Sequence, residues 1–108
     1  MGKLSTHVLD TMRGRPAAGM KIELRRMPGG DFVKTLTTNA DGRTDELVLG
    51  PEEITPGDYE LSFHVGDYFG EKAFLDVVPV RFRIADASQG YHVPLLCTPW
   101  SYSTYRGS

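Results

Sequence analysis

The chain has 108 residues and a formal charge of −2, from 12 Lys and Arg against 14 Asp and Glu. That length suits a single domain, residues 1–108, able to bury one core. Interspersed charges exclude a nucleic-acid footprint, and no apolar run approaches the roughly 18 residues of a membrane span.

The elements follow in chain order. Leu4–Asp10 reads as a first strand, closed by the turn Arg13-Gly14-Arg15-Pro16. In Met20–Arg26, Met20, Ile22 and Leu24 alternate with Lys21, Glu23 and Arg25. After Pro28-Gly29-Gly30-Asp31 comes a strand over Phe32–Thr38, then the turn Asn39-Ala40-Asp41-Gly42 and a short strand at Leu47–Leu49. Beyond Pro56-Gly57-Asp58, residues Tyr59, Leu61, Phe63 and Val65 alternate with Glu60, Ser62 and His64. Asp67 is placed to cap a short helix running through Phe74. Val78–Ile84, Tyr91–Cys97 and Trp100–Arg106 complete the set of strands. Period two with such regular turns predicts antiparallel strands in a sandwich or barrel, each with one face in the core.

The last quarter departs from this pattern. From Ala87 to Tyr105 there is no Asp, Glu, Lys or Arg, yet Tyr91, Val93, Leu95, Leu96, Trp100, Tyr102 and Tyr105 lie there. An edge so apolar would aggregate if left bare, so one face is expected against the core and the other against a second subunit.

Three histidines carry the candidate chemistry. His64 sits on the polar side of its strand and reads as a solvated histidine. His7 shares a face with Leu9, and His92 shares one with Pro94 and Leu96. Imidazole titrates near neutrality, so two of them on neighbouring strands could move protons. No pair of histidines has close metal-ligand spacing, and Cys97 has no cysteine partner. A lone cysteine also suits a reducing compartment. The cytoplasm is the default expectation for location, with a peroxisome as the eukaryotic alternative. The chain closes on Tyr105-Arg106-Gly107-Ser108. Continued extension would turn Arg106 and Ser108 to one face, offering a guanidinium fork and a hydroxyl together. Arg43, after the Asp41-Gly42 turn, is by itself an ordinary turn arginine.

These residues carry a resemblance. Leu4-Ser5-Thr6-His7-Val8-Leu9-Asp10 with Gly14, Pro16, Ala17 and Gly19, then Thr38-Asn39-Ala40-Asp41-Gly42-Arg43, then Tyr91-His92-Val93-Pro94-Leu95-Leu96 and Tyr102 to Ser108, resemble the signatures of 5-hydroxyisourate hydrolases, the enzymatic branch of the transthyretin family. One departure is Gly90, where many members carry a further histidine. The resemblance implies a mainly β, transthyretin-like sandwich of two four-stranded sheets with one short helix, assembled as a homotetramer, a dimer of dimers. It implies cofactor-independent hydrolysis of the lactam of 5-hydroxyisourate to 2-oxo-4-hydroxy-4-carboxy-5-ureidoimidazoline in urate breakdown, without metal. Carried over by motif, His7, Arg43, His92 and Ser108 form the catalytic set. Tyr105, Arg106 and Gly107, with Arg43, bind the substrate. The order in which the two histidines act stays open at this level. The competing expectation is a transthyretin-like carrier of a small molecule, without chemistry; a structural β-sandwich module is a third.

Overall fold

A computed structural model describes residues 2–107. Eight strands and one helix form two four-stranded sheets. The first sheet runs in the order β2 (Arg15–Pro16), β1 (Lys3–Asp10), β7 (Gly90–Cys97) and β8 (Tyr102–Thr104). The second runs β4 (Asp31–Thr37), β3 (Lys21–Met27), β5 (Gly57–His64) and β6 (Val77–Ile84). The expected sandwich of two four-stranded sheets is the one observed. Among the described residues, no helix is long and apolar enough to cross a membrane.

Alternation explains why the sheets stack. Leu4, Val8, Tyr91, Val93 and Leu95 from the first sheet meet Ile22, Leu24, Tyr59, Leu61, Phe63, Val78 and Val80 from the second, all buried. The side chains in between project outward: Ser5, His7 and Leu9 on β1, and His92 and Leu96 on β7, all partly covered. Burying this much apolar surface, at about 25 cal/mol per Å², is what holds two separately amphipathic sheets together.

Several expectations are corrected. The β1–β7 pair is parallel, not antiparallel, with Ser5 opposite His92 and His7 opposite Pro94. The turn around Arg15-Pro16 contributes a two-residue strand against Leu9 and Asp10. Leu47–Leu49 forms only a single bridge, Leu49 to Leu4. The last strand spans Tyr102–Thr104 rather than Trp100–Arg106, because Thr98 and Ser101 close a turn that holds Trp100. The helix α1 spans Val65–Phe69 rather than Asp67–Phe74. Asp67 lies inside it, and Gly70 ends it in the left-handed conformation (φ 78°), a stop signal for which glycine carries no Cβ penalty. His64 is not solvated: it is half-buried, with Nε2 2.8 Å from Glu23 Oε1 and Nδ1 3.7 Å from Asp67 Oδ2.

The end of β1 is tied to the helix through one carboxylate. The Asp10 side chain is fully buried and accepts hydrogen bonds from the Arg13 backbone amide (2.9 Å), the Arg13 guanidinium (2.9 Å) and the Tyr68 hydroxyl (2.8 Å). Burial alone would raise its pKa, but the amide, the phenol and the guanidinium together hold it below the ordinary aspartate value of 3.8. A depressed folded-state pKa adds stability that is complete above the unfolded value and is lost as pH falls through the folded one. Asp10→Asn should therefore cost about 2–3 kcal/mol near neutrality, and its deficit against the parent should shrink below pH 3.8. Thermal unfolding followed from pH 7 to pH 3 checks this, and a deficit unchanged across that range would refute it.

Candidate active site

The parallel pairing of β1 and β7 puts His7 and His92 on one outer face. Ser5 lies directly opposite His92, so His7, two residues further along β1, is the diagonal neighbour of His92. Both imidazoles are partly buried. This is the juxtaposition expected from two apolar-strand histidines.

Arg43 reaches the same face through a loop. The segment after β4 folds back along the side of β1 away from β7, where the Val8 amide donates to the Gly42 carbonyl at 2.7 Å. Gly42 has φ +77°, and a Cβ there would overlap the Val8 carbonyl oxygen. Only glycine allows both the conformation and the close approach. Asn39 braces the turn: its Oδ1 accepts from the backbone amides of Asp41 (2.9 Å) and Arg43 (3.2 Å), and its backbone N–H donates to the Arg43 carbonyl (2.7 Å). The loop also touches the first histidine, because Nε2 of His7 donates to the Asp41 carbonyl at 2.8 Å. A carbonyl can only accept, so neutral His7 carries its proton on Nε2 and its lone pair on Nδ1.

His92 is held from two sides. The Ser5 hydroxyl lies 2.9 Å from Nδ1. Gly107 bridges back to His92, its amide donating to the His92 carbonyl at 2.7 Å. A Cβ at Gly107 would stand 2.5 Å from Cδ2 of the ring, so this backbone lies directly against the imidazole. Burial lowers the His92 pKa below 6.5, and electrostatic interaction with Arg43 and His7 lowers it further. His92 is therefore neutral at pH 7. Those same influences place Arg43 and His7 within electrostatic reach of it.

The remaining candidates fall differently. The β7–β8 register, continued to the His92–Gly107 bridge, sets Tyr105 opposite Pro94, where it is 60% exposed. Arg106 turns to the chain just before β7: Nη2 donates to Gln89 Oε1 and the Gly90 carbonyl, both at 3.1 Å, and the guanidinium lies 4.3 Å over the Tyr91 ring. Tyr91 is buried in the core, so Arg106 braces the terminal segment on the side away from the His7–His92 face. Ser108 lies outside the described residues. Ser5 was not among the candidates, although its place two residues before His7 puts it on the same strand face. No group of three or more His, Cys, Asp or Glu able to hold a metal ion occurs among the described residues.

A sheet face that presents two imidazoles and a hydroxyl, with an arginine close by, has the groups needed to polarise a carbonyl and move a proton from water. Comparisons with known proteins identify the relatives of this chain. Residues 4–107 match the HIUase/Transthyretin family profile. The 5-hydroxyisourate hydrolase 2 of Rhizobium meliloti (strain 1021) is 52% identical over 116 residues, covering 99% of this chain and 97% of that protein. The structure of Klebsiella pneumoniae 5-hydroxyisourate hydrolase superposes with a TM-score of 0.86 at 34% identity, with both chains covered in full. Sea bream transthyretin in complex with thyroxine superposes with a TM-score of 0.84 at 25% identity, covering 97% of this chain and 94% of that one.

Proposed function

This chain belongs to the HIUase/Transthyretin family, and from that premise we propose that it hydrolyses 5-hydroxyisourate at the face shared by His7, Arg43 and His92. The observation that carries this reading is the pair of imidazoles on one sheet face, with the turn that bears Arg43 held along β1 beside His7. A hydrophobic hormone site has no need of those groups, which weighs against the carrier alternative.

The chemistry is addition of water across a lactam C–N bond. The water oxygen bonds to the carbonyl carbon, the C–N bond breaks, and the departing nitrogen gains a proton. His7 takes the water proton at Nδ1, the nitrogen left free by its bond to Asp41, and passes it to the departing nitrogen. His92, neutral at pH 7, donates a hydrogen bond from Nε2 to the oxygen that becomes negative. Arg43 binds the carbonyl edge and offsets the same charge. Tyr105 and Gly107 shape the site, and Arg106 braces the terminal segment that carries them. Ser108 is assigned a hydrogen bond to substrate or water.

Self-association belongs to the same reading. β6 and β8 are the outer strands of the two sheets. Between them lies a groove of about 330 Å³ lined by Phe82, Tyr91, Val93 and Tyr105 with Arg81, Arg83 and Arg106. Phe74 and Trp100 stack with ring centres 6.2 Å apart and stand 69% and 63% exposed. Bare aromatic edges of this kind are covered in stable proteins, and a dimer of dimers would cover them. Cys97, buried and with its thiol pKa raised to about 12 by burial and by Asp10, stays a protonated thiol and takes no part in the chemistry.

The test is to generate 5-hydroxyisourate in place from urate with a urate oxidase and follow its ultraviolet absorbance. Decay should accelerate above the spontaneous rate in proportion to the protein added. Decay unchanged by folded protein would overturn the hydrolase and favour a carrier.

A further inference from the structure

We propose that Ser5 is a positioning residue for this reaction: its hydroxyl bonds Nδ1 of His92 and, with Gly107 against the other edge of the ring, holds the imidazole so that Nε2 presents a proton to the substrate. This rests on the reading of His92 as a group that touches the substrate.

The geometry comes from the sheet itself. The parallel register sets Ser5 beside His92, with both side chains on the outer face, and the hydroxyl reaches Nδ1 at 2.9 Å. Among the described residues, that nitrogen is the hydroxyl's one hydrogen-bond partner. A part-buried hydroxyl that only accepted would leave its own proton unmatched, so Ser5 donates and Nδ1 accepts. The proton of the neutral ring is then on Nε2, which has no protein partner among the described residues. His92 is thereby a donor, the complement of His7, whose Nε2 is engaged by the Asp41 carbonyl.

The Ser5 contact selects between the two ring orientations. Rotation about the Cβ–Cγ bond of histidine is broad and nearly two-fold, so an unpinned ring can exchange Nδ1 with Cδ2 and Nε2 with Cε1. A flipped ring would set a C–H against the Ser5 oxygen and give the substrate a carbon where it needs a donor. Gly107 packs beside this edge of the ring, where a Cβ would stand 2.5 Å from Cδ2, so only a residue without a side chain lets the terminal backbone approach His92 here. Ser5 supplies the polar discrimination, and the Gly107 amide fixes the His92 backbone at 2.7 Å. Donor geometry held in advance is what makes such a hydrogen bond effective as charge develops.

Ser5→Ala should lower kcat by about three- to tenfold, the effect of one neutral hydrogen bond, while leaving KM nearly unchanged. Ser5→Thr, which keeps the hydroxyl, should restore kcat. Imidazole ¹⁵N resonances of the parent should show His92 protonated at Nε2 with an accepting Nδ1, and the Nδ1 signal should move in Ser5→Ala. Full kcat in Ser5→Ala, failure of Thr to rescue a folded enzyme, or a proton found on Nδ1 in the parent would each overturn the proposal. His92→Asn separates the two levels. If it keeps full turnover, the role of His92 itself is wrong; if it loses turnover while Ser5→Ala does not, only the positioning role of Ser5 fails.

Discussion

Replacing His7 by Asn should lower kcat by about 10² to 10⁴, the range that a positioned general base contributes. The argument starts from an acceptor. The Asp41 carbonyl can take only a hydrogen bond, so the 2.8 Å contact commits Nε2 of His7 to donating and leaves Nδ1 as the basic nitrogen. Asparagine approximates the size and polarity of the imidazole but cannot hold a proton at neutral pH. Loss should therefore fall on kcat and kcat/KM alike, with KM close to that of the parent, since the missing interaction forms only as water is deprotonated. The measurement is turnover at saturating 5-hydroxyisourate against the spontaneous rate. A folded His7→Asn protein with undiminished kcat would remove His7 from the base position.

Arg43→Met should cost about 10² to 10³ in kcat, the effect of losing one donor to a developing oxyanion. It carries a second, independent signature. Burial is the largest cause of the lowered His92 pKa, and the Arg43 charge is the next. Methionine keeps much of the side-chain volume and removes the charge, so the His92 pKa should move upward, toward the ordinary imidazole value of 6.5. An NMR titration of the His92 ring reads this without reference to turnover. A lowered kcat with an unmoved His92 titration would mean that Arg43 acts at a distance from that ring. The arginine has this reach because Gly42 packs against Val8; its guanidinium makes no hydrogen bond to another described residue.

Much of the fold was legible in the chain because period two is a local property. Ile22, Leu24, Tyr59, Leu61, Phe63, Val78 and Val80 alternate with polar neighbours, and each is buried in the structure. Side chains on a strand must point to opposite faces, so hydropathy alone identified these strands and their inward faces. It could not identify partners. Residues 4 and 91 lie far apart in the chain, and nothing local distinguishes a parallel neighbour from an antiparallel one, so the β1–β7 pairing had to come from how the sheets close. The ends of elements were equally out of reach. α1 stops where Gly70 takes a left-handed conformation, and the last strand starts only after the Thr98–Ser101 turn.

The site divides along the same line. His7 and His92 stood out because a polar, titratable ring on an apolar strand face is unusual, and that judgement needs only a few flanking residues. Arg43 looked ordinary until the Val8–Gly42 hydrogen bond carried its loop along β1. Ser5 looked ordinary until the parallel register set it against Nδ1 of His92, and Arg106 turned to Gln89 and Tyr91 instead of sharing the histidine face. The sequence by itself thus determined the sandwich, its inward faces and the two imidazoles, since these follow from short-range alternation and side-chain chemistry. Only the tertiary structure decided which residues surround each imidazole and which nitrogen each leaves free, because those depend on strand register and loop closure between positions some 35 to 90 residues apart.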